Sequence, residues 1–184
     1  MTPLRTLLNR FARDDGGSMM AEFVLVLPLF LWAYMGLYVY WDGFRALNLA
    51  QKASYSIADY ITRERDTFKD TEIAGMQTTF KFLMDSDQSV KMRFTSVIWN
   101  PLTKRFEVRW SRSPGNTMPE LTNTTIQNYA LRIPALADGV SAMVVETKTS
   151  YSPAFDVGMG QESLENFIVT QPRFLTRICL ESAC

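Results

Sequence analysis

The chain has 184 residues with 19 basic and 19 acidic side chains, so its formal net charge is zero. It therefore lacks the excess of basic residues that is typical of nucleic-acid-binding proteins. It contains no histidine, which excludes Cys/His zinc sites and the usual Ser/His or Cys/His catalytic pairs. Nothing in the composition argues for an enzyme, and we predict no metal, no cofactor and no nucleic-acid partner.

The first informative segment is Gly-Gly-Ser-Met-Met-Ala-Glu-Phe at residues 16–23, which precedes an uncharged apolar run that ends at Trp41. An ionised Glu22 at the start of a membrane-spanning helix is energetically unfavourable, because a charge in hydrocarbon costs about 3 kcal/mol or more. Cleavage after Gly17 would make Ser18 the new N-terminus, and its ammonium group would share a helix face with the Glu22 carboxylate. In an assembly, the carboxylate could instead neutralise the N-terminus of a neighbouring subunit.

This arrangement resembles the prepilin signal of type IV pilins, and most closely that of the TadE/TadF-like minor pseudopilins of the tight-adherence (Tad, type IVb) pilus assembly system. The family pattern is a short basic leader, glycine at the cut, glutamate at the fifth mature position and an aromatic residue at the sixth. Gly17, Glu22 and Phe23 match it. The alternative interpretation is a border charge that follows a Gly-Gly turn.

The resemblance implies a structural subunit of a pilus, cut after Gly17 by a prepilin peptidase, which is an aspartate protease. It implies other pilins or pseudopilins and the inner-membrane assembly platform as partners. It also implies that Glu22, with Phe23 beside it, supports docking of one helix against another inside the membrane.

The apolar run itself predicts a membrane-spanning helix in contact with lipid. From Phe23 to Trp41 no residue is charged, and at ~1.5 Å per residue the run approaches the ~30 Å thickness of a bilayer core. A removable secretory signal peptide is the alternative, but no small-x-small cleavage site follows the run. The predicted divisions are a leader at 1–17, a transmembrane helix at 18–41 and an extracytoplasmic domain at 42–184.

Basic residues before the span set the predicted orientation. Arg5, Arg10 and Arg13 precede the apolar run, and basic residues favour the cytoplasmic side of a membrane. We therefore predict a single-pass protein of the bacterial inner membrane with a cytoplasmic N-terminus and a periplasmic domain.

Helical spacing of apolar residues continues beyond the span, through Leu47, Ala50, Ser54, Ile57 and Ile61. The simplest prediction is one long helix from about Met19 to Arg63, with its extension to about residue 65 covering a soluble core. The alternative is two helices with a bend at Gly43.

The remaining elements predict an α+β fold, in which the long helix packs on a small antiparallel sheet with one or two short helices, as in pilins. A second helix begins near Asp70 and carries Ile73, Met76, Phe80 and Leu83 on one side. Alternating residues predict a hairpin with one buried face, formed by Val90, Met92 and Phe94 and by Phe106, Val108 and Trp110. A short helix at 126–131 and strands at 140–151 and 167–169 follow.

Both cysteines, Cys179 and Cys184, fall in the last six residues of the chain. Outside the inner membrane an oxidising compartment favours a disulfide between them. On the chain-entropy model this small loop stabilises the C-terminal tail by ~2 kcal/mol. In a reducing cytosol the two could instead be free thiols or half of a metal site.

Two functions of different class remain. The first is the processed minor pseudopilin. The second is an unprocessed single-pass anchor whose outer domain binds a partner, a glycan or a surface. The substitution Gly17→Ala blocks maturation only under the first, and Glu22→Ala leaves cleavage intact but prevents assembly only under the first.

Overall fold

The computed structural model describes residue 6 and residues 10–13, 18–84 and 89–181. Two helices pack on one face of a four-stranded antiparallel sheet of order β2-β1-β3-β4, so the fold is α+β as predicted. The helices are α1 (Ser18–Arg63) and α2 (Asp70–Met84). The strands are β1 (Val90–Asn100), β2 (Arg105–Arg112), β3 (Ser141–Tyr151) and β4 (Glu162–Thr170).

Helix α1 is continuous over 46 residues and passes through Gly43 without interruption, which confirms the prediction of one long helix. Its second half presents small residues to the sheet. Ala50 and Ser54 are fully buried, and the Ser54 hydroxyl lies 2.8 Å from that of Thr147 on β3. Small side chains let the helix approach the strands closely, while Ile57 and Ile61 fill the space further along.

Helix α2 begins at Asp70 as predicted. The carboxylate of Glu72 accepts a hydrogen bond from the Lys69 N–H at 2.9 Å, which satisfies one of the free donors at the helix start. The side chains buried by α2 are Ile73, Met76, Phe80 and Met84. The prediction of Leu83 as a core residue is wrong: a full turn after Phe80 leads to Met84, and Leu83 is 38% exposed.

Both faces of the sheet are covered, whereas the sequence predicted one. The helices cover the face that carries Met92, Phe94 and Val145. The opposite face carries Val97 and Val144 and is covered by residues 121–136. That segment includes a 3-10 helix at Thr125–Arg132, close to the predicted short helix at 126–131.

A β-bulge splits the predicted apolar face of β2. Trp110 pairs with Ser96 and Val108 pairs with Val97, so Arg109 has no partner in the ladder. One extra residue moves the following side chain to the other face. Phe106 therefore belongs to the core away from the helices and Trp110 to the core beneath them, and their predicted placement on one face is wrong.

The predicted strands at 140–151 and 167–169 are present as β3 and a longer β4. Beyond β4 the chain returns beneath the end of α1. The Phe68 N–H donates to the Cys179 carbonyl at 3.0 Å, and the Glu181 N–H donates to the Phe68 carbonyl at 2.8 Å. The C-terminal segment is thus fixed to the linker between α1 and α2.

Candidate functional site

The first half of α1 projects from the domain with its apolar side chains exposed. Among the residues that the structure describes, one helix, Met19–Arg63, is long and apolar enough to cross a membrane. Its most apolar stretch has a mean hydropathy of 1.9 and is 6% buried. An apolar surface of this length is unusual for a soluble monomer and is consistent with a membrane anchor.

The predicted assembly residues lie near the N-terminal boundary of the described part of α1. Ser18 is the first residue of this helix that the structure describes, and Glu22 follows it by one helical turn. Glu22 is exposed and Phe23 is 61% exposed. Within the described part of the chain, Glu22 forms no ion pair. Gly17, on the other side of the predicted cleavage site, lies outside the described residues, as does most of the predicted leader at 1–17.

Two carboxylates bracket the apolar part of α1. Glu22 precedes it and Asp42 follows it. Asp42 lies twenty positions after Glu22 in one continuous helix, which at ~1.5 Å per residue is about 30 Å, the thickness of a bilayer core. Both carboxylates can therefore reach the two boundaries of a membrane at the same time.

At Asp42 the helix is joined to the domain by Tyr151, the last residue of β3. The Tyr151 hydroxyl lies 3.0 Å from Oδ2 of Asp42 and 3.3 Å from the backbone carbonyl oxygen of Val39. Its ring lies against Gly43, where an added Cβ would be 3.5 Å from the ring. Burial, together with the hydrogen bond to Asp42, raises the pKa of Tyr151 to about 12.

One ring contact reinforces this joint: the Phe155 ring meets the Tyr38 ring edge-on with 6.0 Å between centroids. Within α1 itself, the Arg45 guanidinium lies 5.9 Å from the Trp41 ring centroid. The sequence did not reveal Tyr151 as the joint, because a periodicity within β3 says nothing about a partner 109 residues earlier in the chain.

A buried ion pair lies on the sheet face away from the helices. Arg93 on β1 makes two hydrogen bonds to the Glu146 carboxylate on β3, of 2.7 and 2.8 Å, and both side chains are less than a tenth exposed. The Arg93 guanidinium also donates to the Pro119 carbonyl. Beside the pair, the Tyr129 ring stacks on Phe167 at 5.4 Å. A hairpin with one buried face, as predicted from the sequence, would leave Arg93 facing solvent, and the burial of the second face makes that prediction wrong.

Cys179 is disulfide-bonded in the structure. Its predicted partner, Cys184, lies outside the described residues, so the pairing itself stays a prediction. Among the described side chains, no group of three or more histidine, cysteine, aspartate or glutamate residues is placed to hold a metal ion.

Comparison of the chain with protein-family models, with curated proteins and with solved structures finds no match.

Proposed function

We propose that this chain is a minor pseudopilin of a Tad-type type IV pilus, a structural subunit anchored in the bacterial inner membrane and processed after Gly17 by a prepilin peptidase. The observation that carries the proposal is the helix α1, described from Ser18 onward, which exposes an apolar surface for about 30 Å and carries Glu22 directly before that surface.

The unfavourable free energy of placing the charged Glu22 side chain at the edge of the membrane supports the proposal. A carboxylate at the edge of hydrocarbon needs a cationic partner, and within the described residues it has none in the isolated chain. Removal of the leader creates an ammonium group at Ser18, either in the same chain or in a neighbouring subunit. Helices that meet in the membrane would satisfy both charges, so the carboxylate would direct assembly.

The architecture of the domain supports a structural role. The second half of α1 lies on an antiparallel sheet, and the continuous helix together with the hydrogen bonds of Tyr151 sets the direction in which the first half projects. A subunit of a fibre or of its base needs such a fixed relation between its membrane helix and its outer domain. In the proposed topology the N-terminus is cytoplasmic and the domain periplasmic.

The experiment compares processing with pilus formation in the native host. Gly17→Ala should abolish cleavage and piliation, while Gly16→Ala, a matched control one residue away, should leave both unchanged. Glu22→Ala should be cleaved normally and should fail to assemble. If all three variants behave as wild type, the proposal is wrong, and the chain is an unprocessed anchor whose outer domain binds a partner or a surface.

A further inference from the structure

The loop between β3 and β4, residues 152–161, is longer than a hairpin needs and is rich in apolar side chains. Hairpin loops commonly have two to five residues, so this connection is longer than the reversal of the chain requires. It contains a single charged residue, Asp156. Its apolar residues are Pro153, Ala154, Phe155, Val157 and Met159.

The position of this loop is fixed relative to the projecting helix. Tyr151, the residue directly before the loop, is bound to Asp42 and to the Val39 carbonyl. Phe155, in the loop, packs edge-on against Tyr38, with 6.0 Å between the ring centroids. Tyr38 lies within the uncharged apolar run and precedes Asp42 by four residues, or about 6 Å along the helix axis.

The loop therefore lies beside the helix at the depth where the helix leaves its apolar stretch. Phe155 remains 45% exposed although it touches Tyr38, and Ala154 is exposed beside it. Phe155 thus contacts a helix residue that lies about 6 Å inside the level of Asp42. Interfacial segments bury their apolar side chains by ~5–10 Å, in the region between headgroups and acyl chains.

The one charge in the loop fits the same depth. The Asp156 carboxylate accepts a hydrogen bond from the Gly158 N–H at 3.2 Å, so it closes the tip of the loop into a turn. An exposed carboxylate in a turn is suited to the headgroup layer and would be costly any deeper. The aromatic residues Tyr40 and Trp41 of α1 are of the kind that marks this same interface.

We infer that the β3–β4 loop is a second membrane-contacting element, which inserts Phe155 and its apolar neighbours into the interfacial lipid of the leaflet where α1 leaves the bilayer. The domain is thereby held against the membrane at two points, the helix and the loop, and cannot rotate freely on its stalk. The inference rests on the membrane crossing in the proposed function and is independent of cleavage after Gly17.

The test uses spin labels on the full-length chain in vesicles of phosphatidylethanolamine and phosphatidylglycerol. Single cysteines replace Ala154 in the loop, Leu31 in the middle of the apolar run and Leu102 in the β1–β2 turn, each with Cys179→Ser and Cys184→Ser. Leu31 and Leu102 are exposed, and Leu102 lies at the end of the sheet away from Tyr151. For each spin label, the rate of collision with oxygen, which partitions into lipid, is compared with the rate of collision with a water-soluble nickel chelate.

The ratio of the oxygen collision rate to the nickel-chelate collision rate should be several-fold higher for the label at 154 than for the label at 102. It should approach the ratio for the label at 31. A lipid-like value at 31 with a water-like value at 154 would overturn the loop inference and leave the membrane crossing intact. Water-like values at both positions would overturn both.

A second measurement keeps the two cysteines in place. Phe155→Trp and, as its matched control, Leu102→Trp are each made with Trp32→Phe and Trp41→Phe, so that the helix contributes no tryptophan fluorescence. Lipids brominated near the top of the acyl chain should quench the tryptophan at 155 and leave that at 102 unaffected. Equal quenching at the two positions contradicts the inference.

Discussion

Tyr151 and Asp42, which are 109 residues apart in the chain, meet through a 3.0 Å hydrogen bond at the point where the exposed apolar helix enters the folded domain. The same hydroxyl also lies 3.3 Å from the Val39 carbonyl oxygen. A side chain of β3 thus sets the position of α1 at the predicted membrane boundary. This joint connects the membrane anchor to the outer domain and leads to the first two predictions.

Removal of the Tyr151 hydroxyl should loosen the joint. We expect Tyr151→Phe to lower the free energy of unfolding by about 1–2 kcal/mol, because it removes a hydrogen bond to a charged carboxylate and keeps the buried ring. Denaturant unfolding in detergent micelles measures this. Tyr55→Phe is the matched control, since Tyr55 is 63% exposed on the same helix, and it should change stability by less than about 0.5 kcal/mol.

The same tyrosine predicts a loss of stability at high pH. Burial and the Asp42 carboxylate raise its pKa from 10.0 to about 12. The folded state therefore holds the proton more tightly than the unfolded state. The stabilisation is complete below pH 10 and is lost as the pH rises to about 12, with a total of order 2–3 kcal/mol at ~1.4 kcal/mol per pKa unit.

The pH prediction is measured as the difference between wild type and Tyr151→Phe. Other tyrosines and the lysines titrate in both proteins, so their contribution cancels in the difference. Wild-type stability should fall to or below that of the variant between pH 10 and 12, because the ionised Tyr151 would lie next to the Asp42 carboxylate. A constant difference across this window would show that Tyr151 keeps an ordinary pKa in the folded protein.

Removing only one partner of the buried pair of Arg93 and Glu146 should strongly lower the stability of the protein. Arg93→Met should lower the free energy of unfolding by about 3–5 kcal/mol, because the Glu146 carboxylate would be left buried without a partner. The double variant Arg93→Met/Glu146→Leu should recover most of this loss. Urea unfolding followed by circular dichroism measures all three proteins.

A neighbouring pair supplies the control for this prediction. Lys148 and Glu165 form an exposed ion pair between β3 and β4, with side chains 45% and 61% exposed. Lys148→Met should cost less than about 1 kcal/mol, because solvent screens exposed pairs. Equal losses for Arg93→Met and Lys148→Met would mean that the Arg93 pair is not buried in solution.

Two phenylalanines two residues apart on α2 test how this helix packs. Phe80 is fully buried, and Phe80→Ala should lower the free energy of unfolding by about 3–5 kcal/mol through lost burial and the cavity left behind. Phe82 is 83% exposed, and Phe82→Ala should change it by less than about 0.5 kcal/mol. Thermal or urea unfolding compares the two, and a large loss for Phe82→Ala alone would contradict the orientation of α2.

Local sequence patterns predicted the helices and strands well. They predicted poorly which residues distant in the chain pack together. The continuous α1 follows from the three- and four-residue spacing of residues such as Ala50 and Ile57, and the start of α2 follows from Asp70 and Glu72. Each of these depends on neighbours within one or two turns, so the sequence alone carries the information.

The second core and the buried charges could not be predicted in this way. An alternating strand looks the same whether its polar face meets water or a covering segment, so the pairing of Arg93 with Glu146 remained hidden. The bulge at Arg109 shifts the phase of β2 by one residue, and nothing near it in the sequence marks the change. The assembly signal from Gly17 to Phe23 also rests on local physics, a single carboxylate beside an apolar run, and it stays a prediction.

The most direct test of the proposed function is the mass and N-terminal sequence of the protein isolated from the envelopes of its native host. The account predicts a mature chain that begins at Ser18, with residues 1–17 removed. A protein that still begins at Met1 in cells with an active prepilin peptidase would contradict it.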